Sequence, residues 1–229
     1  PLLVAMASIN AAVVPAKAIA DGSVATTALG SGPFVLDSWE PNSREELSVN
    51  ANWAGGDIAY DGITISVLPD ETAILASLRA GQTDFALIND PLVATLVPNE
   101  PNLQLNAVPG LAYNVLQLNP SRSPMDNLQV RQAISCAVDR QDILDTALVG
   151  EGKVTGPLTM PAYASDPSTL FCYEQDIEKA KALMAEAGID GFSAKVIAAT
   201  GEPPVASAEA QVLQSQLAEI GIDLDIELM

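Results

Sequence analysis

The chain contains no histidine among its 229 residues. This absence excludes Ser-His-Asp and Cys-His nucleophilic machinery, and zinc sites built on imidazole ligands. Cysteine is almost as scarce: Cys136 and Cys172 are too few for a four-thiolate metal site and too far apart for a CxxC motif. They are either inert buried thiols or a disulfide pair. We therefore predict no catalytic constellation, no metal site and no cofactor.

Basic residues are also few, since ten Lys and Arg stand against 29 Asp and Glu and leave a net charge of −19. Such a surface repels phosphate backbones, so nucleic acid is not an expected partner. Strong acidity alone would also suit a disordered chain, but a hydrophobic content of 48% indicates a folded one.

Long hydrophobic runs are missing as well, because none approaches the roughly 20 apolar residues that span a membrane. The apolar start, residues 1–14, is interrupted by Ser8 and Asn10 and has no basic segment before it. That pattern is not typical of a signal peptide. If the protein is exported, we expect its signal segment to precede Pro1.

What is present is an alternation of strand-like and helix-like segments, which predicts an α/β fold. Helix ends are indicated by polar residues and glycines, such as Asp176 before one helix and Gly188 after it. Residues 151–170 carry three Pro and little periodicity, which predicts a long surface connection. The predicted helices are 71–80, 130–138, 143–148, 177–187 and 206–220, and the predicted strands are 35–39, 45–52, 63–68, 85–88, 103–108, 114–119, 195–200 and 223–229.

Two features suggest chemistry but have simpler explanations. Residues 30–34, Gly-Ser-Gly-Pro-Phe, lack the Lys-Ser/Thr pair of a phosphate loop, and Pro33 removes a backbone donor. A tight turn before a strand is therefore favoured. Asp223, Asp225 and Glu227 fall on one face of a predicted strand. A solvated face explains them better than a cation site, because calcium loops need turn geometry and carbonyl ligands.

Several separated segments carry a family pattern. Residues 130–140, Val-Arg-Gln-Ala-Ile-Ser-Cys-Ala-Val-Asp-Arg, are close to VRQAISYAIDR, and residues 78–84 match ALxxGExD with Gln82 in place of Glu. The other matching segments, in order, are 1–17, 30–34, 39–41, 50–53, 118–119 with 124–126, 180–183 with 186–188, and 216–222. Taken together they resemble the family 5 extracellular solute-binding proteins, the dipeptide, oligopeptide and nickel receptors of ABC importers.

The resemblance implies an α/β, partial periplasmic-binding-protein type II fold, with two lobes of mixed sheets joined by a hinge and closing over the ligand. Residues 1–108 are expected to form part of lobe I and residues 109–229 the first part of lobe II, with the boundary at Pro109-Gly110. Family members are longer, so the chain is expected to be incomplete at both ends. Because a clamp needs both walls, we expect these residues alone to bind peptide weakly or not at all.

By the same resemblance, three short stretches are expected to face the ligand. The three stretches are Ile88-Asn89-Asp90, Tyr113-Asn114 and Thr200-Gly201-Glu202. Their polar groups would pair with a peptide main chain, while water-filled pockets accommodate varied side chains. Asn-Asp-Pro and Gly-Glu-Pro-Pro are also ordinary turn sequences, so a purely structural role stays open.

The implied function is capture of a peptide for uptake by ABC permease subunits, without catalysis. Nickel chelates, opines and oligosaccharides stay open as other solutes, although the absence of histidine disfavours direct nickel ligation. A surface receptor or adaptor without an importer also stays open. The implied location is extracytoplasmic, in the periplasm or as a cell-surface lipoprotein. Membrane contact is expected only through an anchor preceding Pro1, and the protein is expected to be a monomer.

Export would also favour pairing of Cys136 with Cys172, since disulfides persist in oxidising compartments. Cys136 stands where the family usually has an aromatic residue, and Cys172 precedes the helix that follows Asp176. The bond would therefore tie two helices of lobe II. On the chain-entropy model, closing this loop adds roughly 4 kcal/mol to the free energy of unfolding.

Overall fold

The computed structural model describes residues 13–108, 113–155, 170–200 and 205–229. The chain divides into two compact units, Pro1–Asp70 and Glu71–Met229. This division is distinct from the predicted lobe boundary at Pro109-Gly110, which lies outside the described residues and stays a prediction.

The first unit is built on three antiparallel strands in the order β1-β2-β3: β1 (Phe34–Glu40), β2 (Arg44–Val49) and β3 (Gly62–Ser66). Asn42 takes a φ of 58° in the turn between β1 and β2, a conformation that Asn tolerates better than most residues. The predicted strand pair and third strand are confirmed. A short helix, α1 (Ala16–Ala20), and a 3-10 turn (Ser23–Ala25) precede the sheet.

Residues 30–34 lead directly into β1. The Asn50 side chain donates to the Gly32 carbonyl over 2.7 Å, and the Asn50 backbone N–H donates to the Pro33 carbonyl over 2.8 Å. The segment is therefore fastened to the end of β2. The chain bends at residues 32–33 as it enters β1, which is the structural role that the sequence favoured over a phosphate loop.

The second unit begins with two helices, α2 (Glu71–Arg79) and α3 (Pro91–Ala94), followed by a 3-10 turn (Val97–Asn99). Leu75, Val93 and Val97 are buried in a small cluster, against which Ile88 and Leu103 pack. Helix α2 ends as predicted, with Gly81 at a φ of 67°, where the lack of a Cβ removes the steric cost.

The strands predicted at 85–88, 103–108 and 114–119 are wrong. These segments belong to no strand, because the described sheets contain only β1–β3 and the pair β4–β5. Residues 85–88 are a short apolar run that predicts a buried strand, but Phe85 and Leu87 are 78% and 72% exposed, while Ile88 packs on the small cluster. An apolar run suits a buried strand, but a strand also needs a partner for its backbone groups.

The main core of the second unit lies among four helices and a parallel strand pair. The elements are α4 (Leu128–Ala137), α5 (Arg140–Ala147), α6 (Ile177–Glu186), β4 (Phe192–Ala198), α7 (Ala206–Ala218) and β5 (Ile222–Leu228). Strands β4 and β5 pair in register from Phe192 with Ile222 to Ala198 with Leu228, and α7 connects them. The apolar stripe predicted along α4 is confirmed, since Val130, Ala133, Ile134 and Ala137 are all buried.

Side-chain caps fix where these helices begin. Asn127 accepts from Gln129 N at the start of α4, and Asp176 accepts from Lys179 N at the start of α6, as predicted for Asp176. Asp139 accepts from the backbone N–H groups of Gln141 and Asp142. Helix α5 therefore begins before the predicted residue 143, because its cap lies at Asp139 rather than closer to the apolar residues.

The backbone comes into close contact with itself where strands β4 and β5 begin. A Cβ on Gly191 would lie 2.5 Å from the Gly221 carbonyl oxygen, and one on Gly221 would lie 2.6 Å from the Asp190 carbonyl oxygen. Gly221 also has a φ of 82° and ends α7 where the sequence predicts. Only glycine lets the chain leave α7 and enter β5 this close to the start of β4.

The sulfur atoms of Cys136 and Cys172 are bonded, and their Cα atoms are 4.9 Å apart. Both residues belong to the main core. The Asp176 N–H donates to the Cys136 carbonyl over 2.8 Å, and the Arg140 guanidinium donates to the Cys172 carbonyl over 3.1 Å. Covalent and hydrogen bonds thus hold the segment before α6 against the end of α4.

Candidate functional site

The carboxyl ends of β4 and β5 meet at one edge of the parallel pair, where Thr200 lies. Its backbone N–H and its hydroxyl both donate to the Met229 carbonyl, over 2.9 and 3.2 Å. Clefts at the carboxyl ends of parallel strands are common ligand sites, because the loops that leave the strands there are free to vary. Gly201 and Glu202, the other two predicted residues of this stretch, lie outside the described residues.

Asn114 reaches the same end of the unit from a distant part of the sequence. Its side-chain Nδ2 donates to Glu209 Oε1 over 2.7 Å. Glu209 is in the first turn of α7, the helix that follows residues 201–204. Leu116 and Leu118 hold the Asn114 segment by packing against the main core. Asn114 therefore lies beside the start of α7, and Thr200 lies where the strand before α7 ends.

Glu209 is the member of this group that sequence reasoning missed. It is partly buried, and burial raises the pKa of its carboxyl, while the hydrogen bond from Asn114 acts in the opposite direction. The signal in the sequence was weak, because an acidic residue in a first helical turn is expected for the helix dipole alone. Only the contact with Asn114 distinguishes it.

Tyr113 is 57% exposed and directly follows residues outside the described range. Its side chain is accessible to solvent, and it directly precedes Asn114 in sequence. Whether it contacts a ligand stays a prediction.

Ile88, Asn89 and Asp90 have well-defined structural surroundings. The Glu71 carboxylate accepts from the backbone N–H of Asn89 over 2.9 Å and from that of Asp90 over 2.7 Å. Asp90 caps α3 by accepting from Leu92 N over 2.8 Å. Ile88 packs on the small cluster and not on the main core. The structure thus gives this stretch the turn and cap chemistry that the sequence left open, and a ligand contact stays a prediction.

The acidic row on β5 has local partners. Lys195 Nζ lies 2.7 Å from Glu227 Oε2, and this pairing raises the pKa of Lys195. The Ser193 hydroxyl donates to Asp223 over 3.4 Å, and Asp225 is exposed. In the described ranges no three His, Cys, Asp or Glu side chains converge as a metal site requires. The row is a solvated face with cross-strand pairs.

The described part of the chain also contains no helix long and apolar enough to cross a membrane.

Comparison with known proteins gives a family match over the whole chain. The family described as “Bacterial extracellular solute-binding proteins, family 5 Middle” matches residues 1–229. Heme-binding protein A of Haemophilus influenzae is 31% identical over 200 residues, which are 85% of this chain and 36% of that protein. The dipeptide-binding protein of Escherichia coli is 29% identical over 205 residues, which are 86% of this chain and 38% of that protein.

Among solved structures, the periplasmic binding protein DppA of Helicobacter pylori, in complex with the peptide STSA, has a TM-score of 0.72 at 27% identity. The match covers 87% of this chain and 39% of that one. The chain thus spans less than two fifths of the length of each of these three proteins.

Proposed function

We propose that this chain, which belongs to family 5 of the bacterial extracellular solute-binding proteins, contributes part of a receptor that captures peptides and presents them to the permease subunits of an ABC importer. The observation that carries the proposal is the family match over residues 1–229, together with likeness to a dipeptide-binding protein and to a binding protein in complex with a peptide. Binding, and not catalysis, is the proposed activity, with no cofactor.

The edge formed by Thr200, Asn114 and Glu209 supports peptide as the ligand class. A peptide main chain offers both N–H donors and C=O acceptors, and this edge has amide and hydroxyl groups, from Asn114 and Thr200, that can match them. Fixed polar groups of this kind recognise the backbone. Side-chain pockets that hold water can then accommodate different sequences.

The proposed arrangement has residues 1–108 in lobe I and residues 109–229 in lobe II, closing on the ligand about a hinge. Ile88-Asn89-Asp90 would then face the ligand from one lobe, and Tyr113-Asn114 and Thr200-Gly201-Glu202 from the other. We further propose a monomer outside the cytoplasm, either periplasmic or attached to the membrane through an anchor preceding these residues.

A non-peptide solute is the second candidate. It is favoured by the 31% identity to a protein named for heme binding. Nickel chelates, opines and oligosaccharides belong to the same alternative, and so does a receptor that signals without transport.

Mass spectrometry of co-purifying ligands tests the proposal most directly. The protein is purified from its natural host under non-denaturing conditions, so that any sequence flanking residues 1–229 is included. We expect short peptides of mixed sequence to be released on denaturation, and a synthetic copy to give saturable heat in calorimetry. Heme and a nickel–histidine chelate are the controls; heat with one of these alone, and no retained peptide, would contradict peptide capture.

The transport role has a separate test. Uptake of the same labelled peptide is measured in the natural host with and without a functional ABC permease. We expect uptake to be lost when the permease is removed. A receptor that binds peptide but supports no permease-dependent uptake would be an adaptor instead.

A further inference from the structure

The hydrogen bond between Asn114 and Glu209 determines which way the Asn114 amide faces. The two residues are 95 positions apart in sequence, and Nδ2 of Asn114 lies 2.7 Å from Oε1 of Glu209. An ionised carboxylate only accepts hydrogen bonds, so it can bond the NH2 group of the amide but not its oxygen. The amide is therefore held with Nδ2 toward α7 and Oδ1 away from it.

The opposite side of the amide remains available. Asn114 is exposed, and within the described ranges no donor bonds its Oδ1. An exposed, oriented oxygen is an acceptor for an N–H group, such as a peptide main-chain amide or a terminal ammonium. An unrestrained asparagine would present donor or acceptor equally well, so the restraint decides the preference.

Glu209 is suited to this restraint. In the part of the chain that the structure describes, no Lys or Arg forms an ion pair with it. Its carboxylate is thus not occupied by a cation. It lies in the first turn of α7, whose N-cap Val205 makes no side-chain cap, and the helix dipole there favours the charged form. Burial opposes that charge by raising the pKa of Glu209, and the bond from Asn114 offsets part of this cost.

We propose that Glu209 is a positioning residue, which acts through Asn114 by turning the Asn114 oxygen toward the ligand as an acceptor for a peptide N–H. The proposal rests on the proposed function, since it requires peptide at this edge. We therefore expect the site to prefer a ligand N–H donor opposite the Asn114 oxygen. Glu209 itself makes no direct contact with the ligand.

The test combines Glu209→Leu, Glu209→Gln, Asn114→Leu and the double leucine variant, in the protein with its flanking sequence. The probe is a mixture of alanine di-, tri- and tetrapeptides, and calorimetry gives the affinities. We expect Asn114→Leu to weaken binding about fivefold, as for one lost hydrogen bond. Glu209→Leu should weaken it about twofold, because the released amide presents its oxygen only about half of the time, and the double variant should be no weaker than Asn114→Leu. Glu209→Gln can donate as well as accept, so it also leaves the Asn114 amide free to turn, and we expect it to weaken binding about as much as Glu209→Leu does.

Glu219→Leu is the matched control, because Glu219 is exposed at the other end of α7. We expect it to bind the probe as the unaltered protein does. A loss equal to that of Glu209→Leu would overturn the proposal, since general charge would then explain the effect.

A spectroscopic arm does not depend on ligand. The side-chain 1H–15N signals of Asn114 are expected to shift in Glu209→Leu and to stay in place in Glu219→Leu. Unshifted signals in Glu209→Leu would overturn the positioning role even if peptide binds. If the unaltered protein binds none of the probe peptides, peptide capture itself fails, and that outcome is distinct from intact binding that ignores Glu209.

Discussion

Strands β1, β2 and β3 form a sheet of three without one buried residue, whereas β4 and β5 form a sheet of two and bury Ala198, Ile222 and Leu224. The first sheet has two antiparallel ladders, whereas the second has a single parallel one. The second has helix α7 packed along it and a core shared with α4, α5 and α6. The smaller sheet is thus the better covered one.

The difference teaches that strand number does not decide how firmly a sheet is held. Backbone hydrogen bonds add little net free energy, since the unfolded chain makes them with water, whereas burial of apolar area adds about 25 cal/mol per Å². Side chains of the open sheet such as Val35 and Ile65 are 44% and 46% exposed. We therefore expect equal changes to have unequal effects in the two sheets.

Loss of the disulfide is expected to have the largest effect. Cys136 and Cys172 are 36 residues apart, and replacing both by Ser should lower the free energy of unfolding by roughly 4 kcal/mol on the chain-entropy model. Urea denaturation of the oxidised protein and the double variant measures this. Two titratable thiols in the denatured, unreduced protein would show that the bond is absent in solution and would contradict the prediction.

A matched pair of isoleucines tests the comparison itself. Ile222 in β5 is 1% exposed and Ile63 in β3 is 39% exposed. We expect Ile222→Ala to cost about 3 kcal/mol through lost contacts and a cavity, and Ile63→Ala about 1 kcal/mol or less. Hydrogen exchange of the amides in each sheet reports the two effects separately. Equal losses of protection would show that the open sheet is covered as well as the other.

Two arginines form a second matched pair with a smaller expected difference. The Arg140 guanidinium donates to the carbonyl oxygens of Ser135, Val138 and Cys172, while Arg44 is exposed and pairs with Glu46 at 3.0 Å. Removing Arg140 leaves partly buried carbonyls without a donor, so Arg140→Ala should cost about 2 kcal/mol. Arg44→Ala should cost about 0.5 kcal/mol or less, as exposed ion pairs do. Chemical denaturation measures the loss of stability in each variant. A larger loss for Arg44→Ala than for Arg140→Ala would contradict the prediction.

The smallest effect is a pH dependence that belongs to α7. Burial raises the pKa of Glu209 above that of the unfolded chain. Stability from a raised carboxyl pKa is complete below the unfolded value and is lost as pH rises through the folded value. Glu209→Gln should therefore gain stability relative to the unaltered protein as the pH rises above about 4, the ordinary range of a Glu carboxyl. Urea midpoints of both proteins, measured from about pH 4 to neutral pH, test this trend. A fall in the stability of Glu209→Gln relative to the unaltered protein as the pH rises would contradict it.

Much of the second unit could be predicted because its signals are local. Helix ends are set by residues within one turn of them, as Asp176 shows at the start of α6. Gly188 and Gly221 do the same at the ends of α6 and α7. The apolar stripe of α4 follows from helical spacing alone. Local signals also found β1 and β2, which a short turn joins, and β3, which follows β2 after the longer loop of residues 50–61.

The wrong strands and the missed site residue have one physical cause, which is dependence on distant partners. Residues 85–88 are an apolar run, as a buried strand is, but the described residues supply no neighbouring strand. Thr200 and Asn114 could be proposed from family resemblance, whereas Glu209 became visible only through a bond across 95 positions. Sequence periodicity contains no information about such a pairing.

Gln216 links α7 to the junction between α4 and α5. Gln216 is 6% exposed, and its side-chain amide accepts from the Asp139 N–H over 3.0 Å and donates to the Asp139 carbonyl and the Asp142 carboxylate. Glu209 lies seven residues earlier on the same helix, about 10 Å away along its axis at 1.5 Å per residue. Because a helix is stiff along its axis, a displacement of its Glu209 end would be transmitted to the junction where α4 ends and α5 begins. Helix α7 thus connects the Asn114–Glu209 contact to residues 130–140.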